Sequence, residues 1–300
     1  MKKEVAMKGQ GSPSRSGGGV KSIMKKISSA LPLPALLACL LAAGCRPQPA
    51  LHPAASQAIG PKVILGIFGG MGPEATANEY QLIVKLTPAS RDQEHIPTLI
   101  YSFPQVPDRT TAIESGDPSI VPYLVEGVTR LERAGASFII IPCNTAHYYY
   151  DRMQAAVSIP ILHMIRETVQ ATIKLYPQCT DIGLLATSGT IRSGLYEKEF
   201  ARSGRRTITP DDSLERDFVM KAIARIKAGE NDRETEDLLA AAGASLEARG
   251  AQVLVLGCTE IPLAFNPARA KVPVVNATRV LAEAAIRTFQ EMSRREKKQP

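Results

Sequence analysis

The sequence predicts an α/β fold of two pseudo-symmetric lobes, each a parallel sheet flanked by helices, with the active site in the cleft between them. Two observations carry this expectation. From Lys62 onward, short apolar runs alternate with longer amphipathic stretches, and near-continuous apolar strands set between helices mark a parallel sheet covered on both faces. The chain also repeats itself. LERAGASFIIIPCNTA, from Leu131, lines up with LEARGAQVLVLGCTEI, from Leu246, and LGIFGGMG (65–72) lines up with IGLLATSG (182–189). Gly66 stands 77 positions before Cys143 and Gly183 stands 75 before Cys258. Two matches at nearly one separation argue for two copies of one α/β unit.

In chain order, the expected strands are KVILGIF (62–68), PTLIYSF (97–103) and SFIIIP (137–142), then DIGLLAT (181–187), QVLVLG (252–257) and KVPVV (271–275). Expected helices run from Ser119 to Ala134, Leu214 to Ala228 and Arg233 to Arg249. The last opens after Asn231-Asp232 and closes at Gly250, residue types suited to a helix start and a helix end. Residues 62–160 are the expected first lobe, with 275–295 packing back on it, and residues 161–274 the second.

Residues 1–61 read as a leader and tether rather than a lobe. From Met24 the chain runs MKKISSALPLPALLACLLAAGC: a basic start, an apolar run, then small residues before Cys45. That is a secretory layout, too short for a spanning helix. Its Ala42-Ala43-Gly44-Cys45 ending resembles a bacterial lipoprotein box, which implies cleavage before Cys45 and lipidation of its thiol. Met24 is the expected start, the first 23 residues being low in complexity, and RPQPALHPAASQAIGP (46–61) the expected tether. The expected location is the periplasmic face of a bacterial membrane, or the cytoplasm if the leader does not act. The net charge of +7 comes mostly from the leader, where seven Lys and Arg before residue 45 face Glu4 alone. The body is nearly neutral, so nothing points to nucleic acid.

Of the five cysteines, Cys39 and Cys45 belong to the leader, leaving Cys143, Cys179 and Cys258. An odd number does not suggest a disulfide framework. Cys143 and Cys258 occupy equivalent places in the repeat, each at the carboxyl end of a strand, where open α/β sheets bind ligands. If the halves face each other, both thiols point into one cleft from opposite walls. Inverting a stereocentre needs a base on one face of a carbon and an acid on the other, and two thiols can exchange those roles. Backbone N–H groups at the following helix starts are expected to favour the thiolate at both positions. Those donors, with Asn144, Thr145 and Thr259, suit an α-carboxylate and the charge that develops on proton loss. Cys179 has no repeat partner and reads as structural.

The segments GIFGGMGPEAT (66–76), HIPTLIYSFPQVPDRT (95–110), IPCNTAH (141–147), ATSGTIRSGLYEKEF (186–200) and LGCTEIP (256–262) closely resemble the aspartate/glutamate racemase family. The likeness spans about residues 62–290. It implies two α/β lobes, catalysis without pyridoxal phosphate or any other cofactor, no metal, and a homodimer. It makes Cys143 and Cys258 the catalytic pair, Cys258 taking the proton from the L-isomer and Cys143 from the D-isomer. Met71 matches a pocket-lining residue, Arg109 and Lys227 the groups that hold the second carboxylate, and Asn144, Thr145, Thr187, Ser188 and Thr259 those around the α-carboxylate. Glutamate racemases proper resemble the chain less: they carry Asp-Ser-Gly at the first turn and Thr-His after the second cysteine, where Gly69-Gly70-Met71 and Thr259-Glu260 stand here.

The expected function is interconversion of L- and D-aspartate, with glutamate second, by two-base proton transfer at Cα. Alternatives are another enzyme of this scaffold acting on a diacid or hydantoin, and a lipid-tethered binding protein for acidic amino acids. GGMGPE lacks the Lys-Ser/Thr of a phosphate loop. His147, four residues after Cys143, reads as a surface or buried hydrogen-bonded histidine rather than a nucleophile's partner. His52, His95 and His163 show no metal-ligand spacing.

Overall fold

Strand β1 (Leu65–Gly69) is buried along its whole length, as an apolar run without alternation requires. It is the centre of the first sheet, with β2 (Thr98–Ser102) and β3 (Phe138–Ile140) parallel to it on either side. The second sheet runs β5-β4-β6-β7, all parallel, from β4 (Asp181–Leu185), β5 (Arg206–Ile208), β6 (Val253–Leu256) and β7 (Val274–Asn276). The sheets follow one plan. In each, the strand of the glycine repeat lies beside the strand that leads to a cysteine, and Gly66 and Gly183 sit in register with Ile139 and Leu254. Even β7 has a counterpart, since Ile161 makes a parallel bridge to Ile139 on the far side of β3.

The computed structural model describes residues 62–298. The expected leader, the Cys45 lipidation site and the tether lie outside the described residues. Helices α1 (Pro73–Leu86), α2 (Arg109–Ser115), α3 (Val121–Arg133) and α4 (Tyr150–Gln154) accompany the first sheet. The second has α5 (Met164–Leu175), α6 (Ser188–Ser193), α7 (Leu195–Ala201), α8 (Asp212–Leu214), α9 (Lys221–Lys227), α10 (Arg233–Ala248) and α11 (Ile261–Ala264). The chain then returns through α12 (Ala277–Glu296), whose Ala277, Leu281 and Ala285 share one apolar cluster with Leu65 and Ile67 of β1. Facing clusters close the other sides, around Phe68, Leu124 and Ile139 in the first lobe and around Leu239, Leu254 and Leu256 in the second.

Two elements differ from expectation. β5 is three residues at a sheet edge, begins with exposed Arg206, and is too short and polar to register as a strand. The helix expected over 214–228 is interrupted, with Glu215–Met220 winding as a π-helix before α9. A π segment inside an α-helix re-phases the side chains after it. Here those include Ile226 and Lys227, both facing the cleft.

Candidate active site

The carboxyl ends of β1, β3, β4 and β6 converge. The turns leaving them supply Met71, Cys143, Thr187 and Cys258, and all four line one slot between the lobes. Its remaining wall is Asp108, Arg109, Thr110, Asn144, Thr145, Lys227, Thr259 and Glu260. The slot is narrow, about 10 Å³, and shares Met71, Asp108, Arg109, Lys227 and Glu260 with an outer vestibule of about 320 Å³. Val106, Ile226, Leu263 and Pro104 make one side of that vestibule apolar. Another cavity, about 650 Å³, lies around Arg233, Glu236 and Arg269 of the second lobe and includes neither cysteine. Among the described residues no group of His, Cys, Asp and Glu is arranged to hold a metal ion.

Both thiols are buried and reduced, Cys143 5% and Cys258 4% exposed. Their surroundings differ. The Sγ of Cys258 donates to Oε2 of Glu260 at 3.0 Å, and Thr259 Oγ1 donates to the same oxygen at 3.2 Å. The other carboxylate oxygen accepts from the Gly72 amide of the first lobe at 3.1 Å. The approach is close: a Cβ at position 72 would sit 3.0 Å from Oε1 of Glu260, and the carboxylate would have to shift to admit it. Burial pushes the Cys258 thiol well up, the Glu260 charge adds to it, and Lys227 only partly offsets them. The expectation that a helix start would favour the thiolate is therefore not met at Cys258. The α11 that follows is a single turn, too short to outweigh desolvation and a facing carboxylate.

At Cys143 the loop is held from behind. His147 lies in the 3₁₀ turn Thr145–Tyr149; its Nδ1 bonds the Cys143 carbonyl at 2.9 Å, and its Nε2 accepts from the Met164 amide at 3.1 Å. An acceptor at Nε2 leaves the proton on Nδ1. Burial keeps the ring neutral by pulling its pKa down, so His147 is a buried, hydrogen-bonded histidine, one of the two roles its sequence position suggested. Cys179 lies in the second-lobe core beside Val253, away from the slot.

The polar wall has unfilled donors. Arg109 is 9% exposed, and its Nη atoms donate to the carbonyls of Val106, Pro107 and Met71 at 3.3, 3.1 and 3.1 Å. Among the described residues its Nε–H is buried without a partner, as is Nδ2 of Asn144. Unpaired buried donors are costly, and both residues line the slot. Nearby, burial alone would raise the Asp108 carboxyl; the Thr111 amide and hydroxyl, with Arg109 and Lys227, outweigh it and hold the pKa below the usual range. The hydroxyls of Thr145, Thr187 and Thr190 form a triangle of 2.9 Å edges across the lobe boundary.

Nine of the ten residues singled out in the sequence within residues 62–298 line the slot: Met71, Arg109, Cys143, Asn144, Thr145, Thr187, Lys227, Cys258 and Thr259. Ser188 does not; its amide donates to the Met220 sulfur at 3.4 Å, on the π-helix side. Sequence reasoning passed over Glu260, Asp108 and Thr110. Glu260 was in view as the residue after Thr259, but its partner Gly72 is 188 positions away.

Comparison with known proteins agrees with this architecture. The family model described as Asp/Glu/Hydantoin racemase matches residues 68–285. The broad specificity amino-acid racemase RacX of Bacillus subtilis is 27% identical over 230 residues, covering 75% of this chain and 98% of that protein. The structure of Picrophilus torridus aspartate racemase superposes with a TM-score of 0.68 at 28% identity, over 76% of this chain and 94% of the other. Glutamate racemase RacE1 of Bacillus anthracis shares the fold, with a TM-score of 0.58 at 21% identity over 77% and 82% of the two chains. With a family model spanning both lobes and both cysteine turns, the chain belongs to the Asp/Glu/Hydantoin racemase family.

Proposed function

We propose that this protein interconverts L- and D-aspartate, with glutamate as its second substrate, by proton transfer between Cys143 and Cys258 and without pyridoxal phosphate. The observation that supports it most is the pairing of two buried thiols, one from each lobe, on the walls of a single slot that also holds unpaired donors. In this reading the α-carboxylate takes the Asn144 Nδ2 donor and the hydroxyls of Thr145, Thr187 and Thr259. The second carboxylate takes the Arg109 Nε–H, with the Lys227 ammonium as a mobile counter-charge. Those cationic donors favour a diacid over a hydantoin.

For L to D, the Cys258 thiolate removes the α-proton while the Cys143 thiol donates its own to the opposite face of Cα. The turnover ends with Cys258 protonated and Cys143 ionised, the starting state for D to L. Glu260 accepts the Cys258 proton to form that thiolate and becomes a neutral acid beside it; while Glu260 is ionised, its charge instead keeps the Cys258 thiol protonated. A carboxylate held on donors makes the neighbouring C–H more acidic, and in a dry slot such donors act at close to full strength.

The test is incubation with L-aspartate in D₂O without added cofactor. Optical rotation should decay to zero, and the D-aspartate formed should carry deuterium at Cα. Unchanged rotation and no exchange with either acidic amino acid, from thiol-reduced protein, would end this reading. The expected leader would put the activity outside the cytoplasm on a lipid anchor; the mass of the mature N-terminus checks that, and sedimentation checks the homodimer.

A further inference from the structure

We propose that Tyr196 is a positioning residue for the two-thiol reaction, one side chain that ties the Cys143 loop to the Cys258 loop and aims the Asn144 amide into the slot. The inference rests on the racemase reading above. Tyr196 stands on α7 of the second lobe, is 1% exposed, and is not among the residues lining the slot. Its hydroxyl donates to Oδ1 of Asn144, the residue after Cys143, at 2.7 Å. Its ring lies against Gly257, the residue before Cys258: a Cβ there would come within 3.2 Å of Tyr196 Cε2. The body of the side chain is fixed by the core, stacked on Phe200 with ring centroids 6.2 Å apart and clustered with Leu184 and Val255. A rigid ring thus rests on one thiol loop while its hydroxyl holds the other.

The hydroxyl also decides which end of an amide faces the substrate. With Oδ1 of Asn144 held by Tyr196, Nδ2 is the remaining end, and it is buried and unpartnered. An anion needs a donor there. Without the hydroxyl, nothing distinguishes the two ends, and the amide can turn to present its oxygen to the carboxylate. Burial keeps the phenol far above its usual pKa, so it remains a donor over the whole working range of pH.

The test is Tyr196→Phe, which keeps the ring and its packing, together with Asn144→Ala and the double variant. Tyr196→Phe should lower kcat/KM about tenfold, the size expected for one hydrogen bond to a group that must be oriented, with KM for aspartate rising more than kcat falls. If Tyr196 acts through Asn144, the double variant should match Asn144→Ala within about twofold, because the two residues form one unit. Independent, multiplying losses would overturn the proposal, as would a Tyr196→Phe enzyme of wild-type kcat/KM. A crystal structure of Tyr196→Phe supplies a readout that needs no turnover: the Asn144 amide should be turned or displaced. An inactive wild type with a displaced amide in the variant would sink the racemase reading and leave the positioning role standing. An unmoved amide would sink the positioning role alone.

Discussion

The two thiol loops occupy equivalent places in a duplicated scaffold, yet they are built differently. Cys258 has a carboxylate within 3.0 Å of its sulfur and a thiol pushed well up by burial and by that charge. Cys143 has its backbone carbonyl held by a neutral histidine, and among the described residues its sulfur has no hydrogen-bond partner. The repeat places the two thiols at equivalent positions, and single side chains make the loops differ: Glu260 bonds the Cys258 sulfur on one side, and His147 bonds the Cys143 carbonyl on the other. The asymmetry has a thermodynamic limit. Enantiomers have equal free energy in water, so kcat/KM must be the same in both directions, whatever the loops look like. Differences between the loops can appear only in kcat, in KM, and in half-reactions.

The largest effect follows from removing either sulfur. If the proposed two-thiol mechanism holds, Cys143→Ala and Cys258→Ala should each lower racemisation by about 10³-fold or more, since each would delete an acid–base partner. They should differ in what survives. With Cys258 alone, the α-proton of L-aspartate should still exchange with D₂O without inversion; with Cys143 alone, that of D-aspartate should. Proton NMR of each enantiomer measures this, and identical exchange in the two variants would break the assignment of faces.

Next is Glu260→Gln, which sharpens the contrast between loops. The carboxylate raises the Cys258 thiol, so its removal should lower that thiol's pKa and move iodoacetamide labelling of Cys258 to lower pH, with Cys143 labelling unmoved. The neutral amide cannot accept the thiol proton for good, so kcat should fall about 10- to 100-fold. Labelling curves that coincide with the wild type would show that Glu260 does not govern Cys258.

The comparison extends to the helices behind the sheets. In the second lobe, Thr168 and Thr172 on α5 are fully buried and donate to backbone carbonyls at 2.8 and 2.7 Å. In the first, Glu79 on α1 is fully buried with both carboxyl oxygens unpartnered, and burial raises its pKa well above the ordinary value. A raised carboxyl pKa means that the folded state holds the proton more tightly. Its contribution is then present below the unfolded value of about 4.3 and is lost as pH climbs above it. Glu79→Leu removes that loss. The variant should be more stable by about 2 kcal/mol at pH 7, with a smaller gain at pH 4. Urea unfolding at the two pH values checks it; a gain that does not grow with pH would contradict the assignment.

What the sequence disclosed followed from locality. Glycine, strand and cysteine lie within a few residues of one another in each repeat, so both sulfurs, both sheets and most of the slot were legible. Features made by distant pairs were not. Glu260 acquires its meaning from Gly72, and Tyr196 from Asn144. Ser188, expected from the family likeness, does not line the slot, and the Met220 sulfur accepts from its amide. The π-helix escaped because a periodic apolar pattern over 214–228 fits either winding.

The smallest expected effect concerns how the slot opens. The slot is narrow and walled by residues of both lobes, so entry of an amino acid is expected to part them. The contacts between lobes are unequal. Deep in the cleft, Thr145 bonds both Thr187 and Thr190, and α2 packs on α6 so closely that a Cβ at Gly189 would come within 2.8 Å of the Thr110 backbone. At the vestibule, the Gly72 amide meets Glu260 Oε1 at 3.1 Å, and beyond it Asn231 Nδ2 meets Glu74 Oε1 in an exposed hydrogen bond of 3.2 Å. Widening should therefore begin at the Asn231 side and pivot on the threonines. Asn231→Ala should raise kcat and KM together by about twofold, the pattern of faster release through a looser mouth, and make kcat less sensitive to solvent viscosity. If both constants and the viscosity effect stay at wild-type values, the mouth lies elsewhere, and the deep contacts are the part that moves.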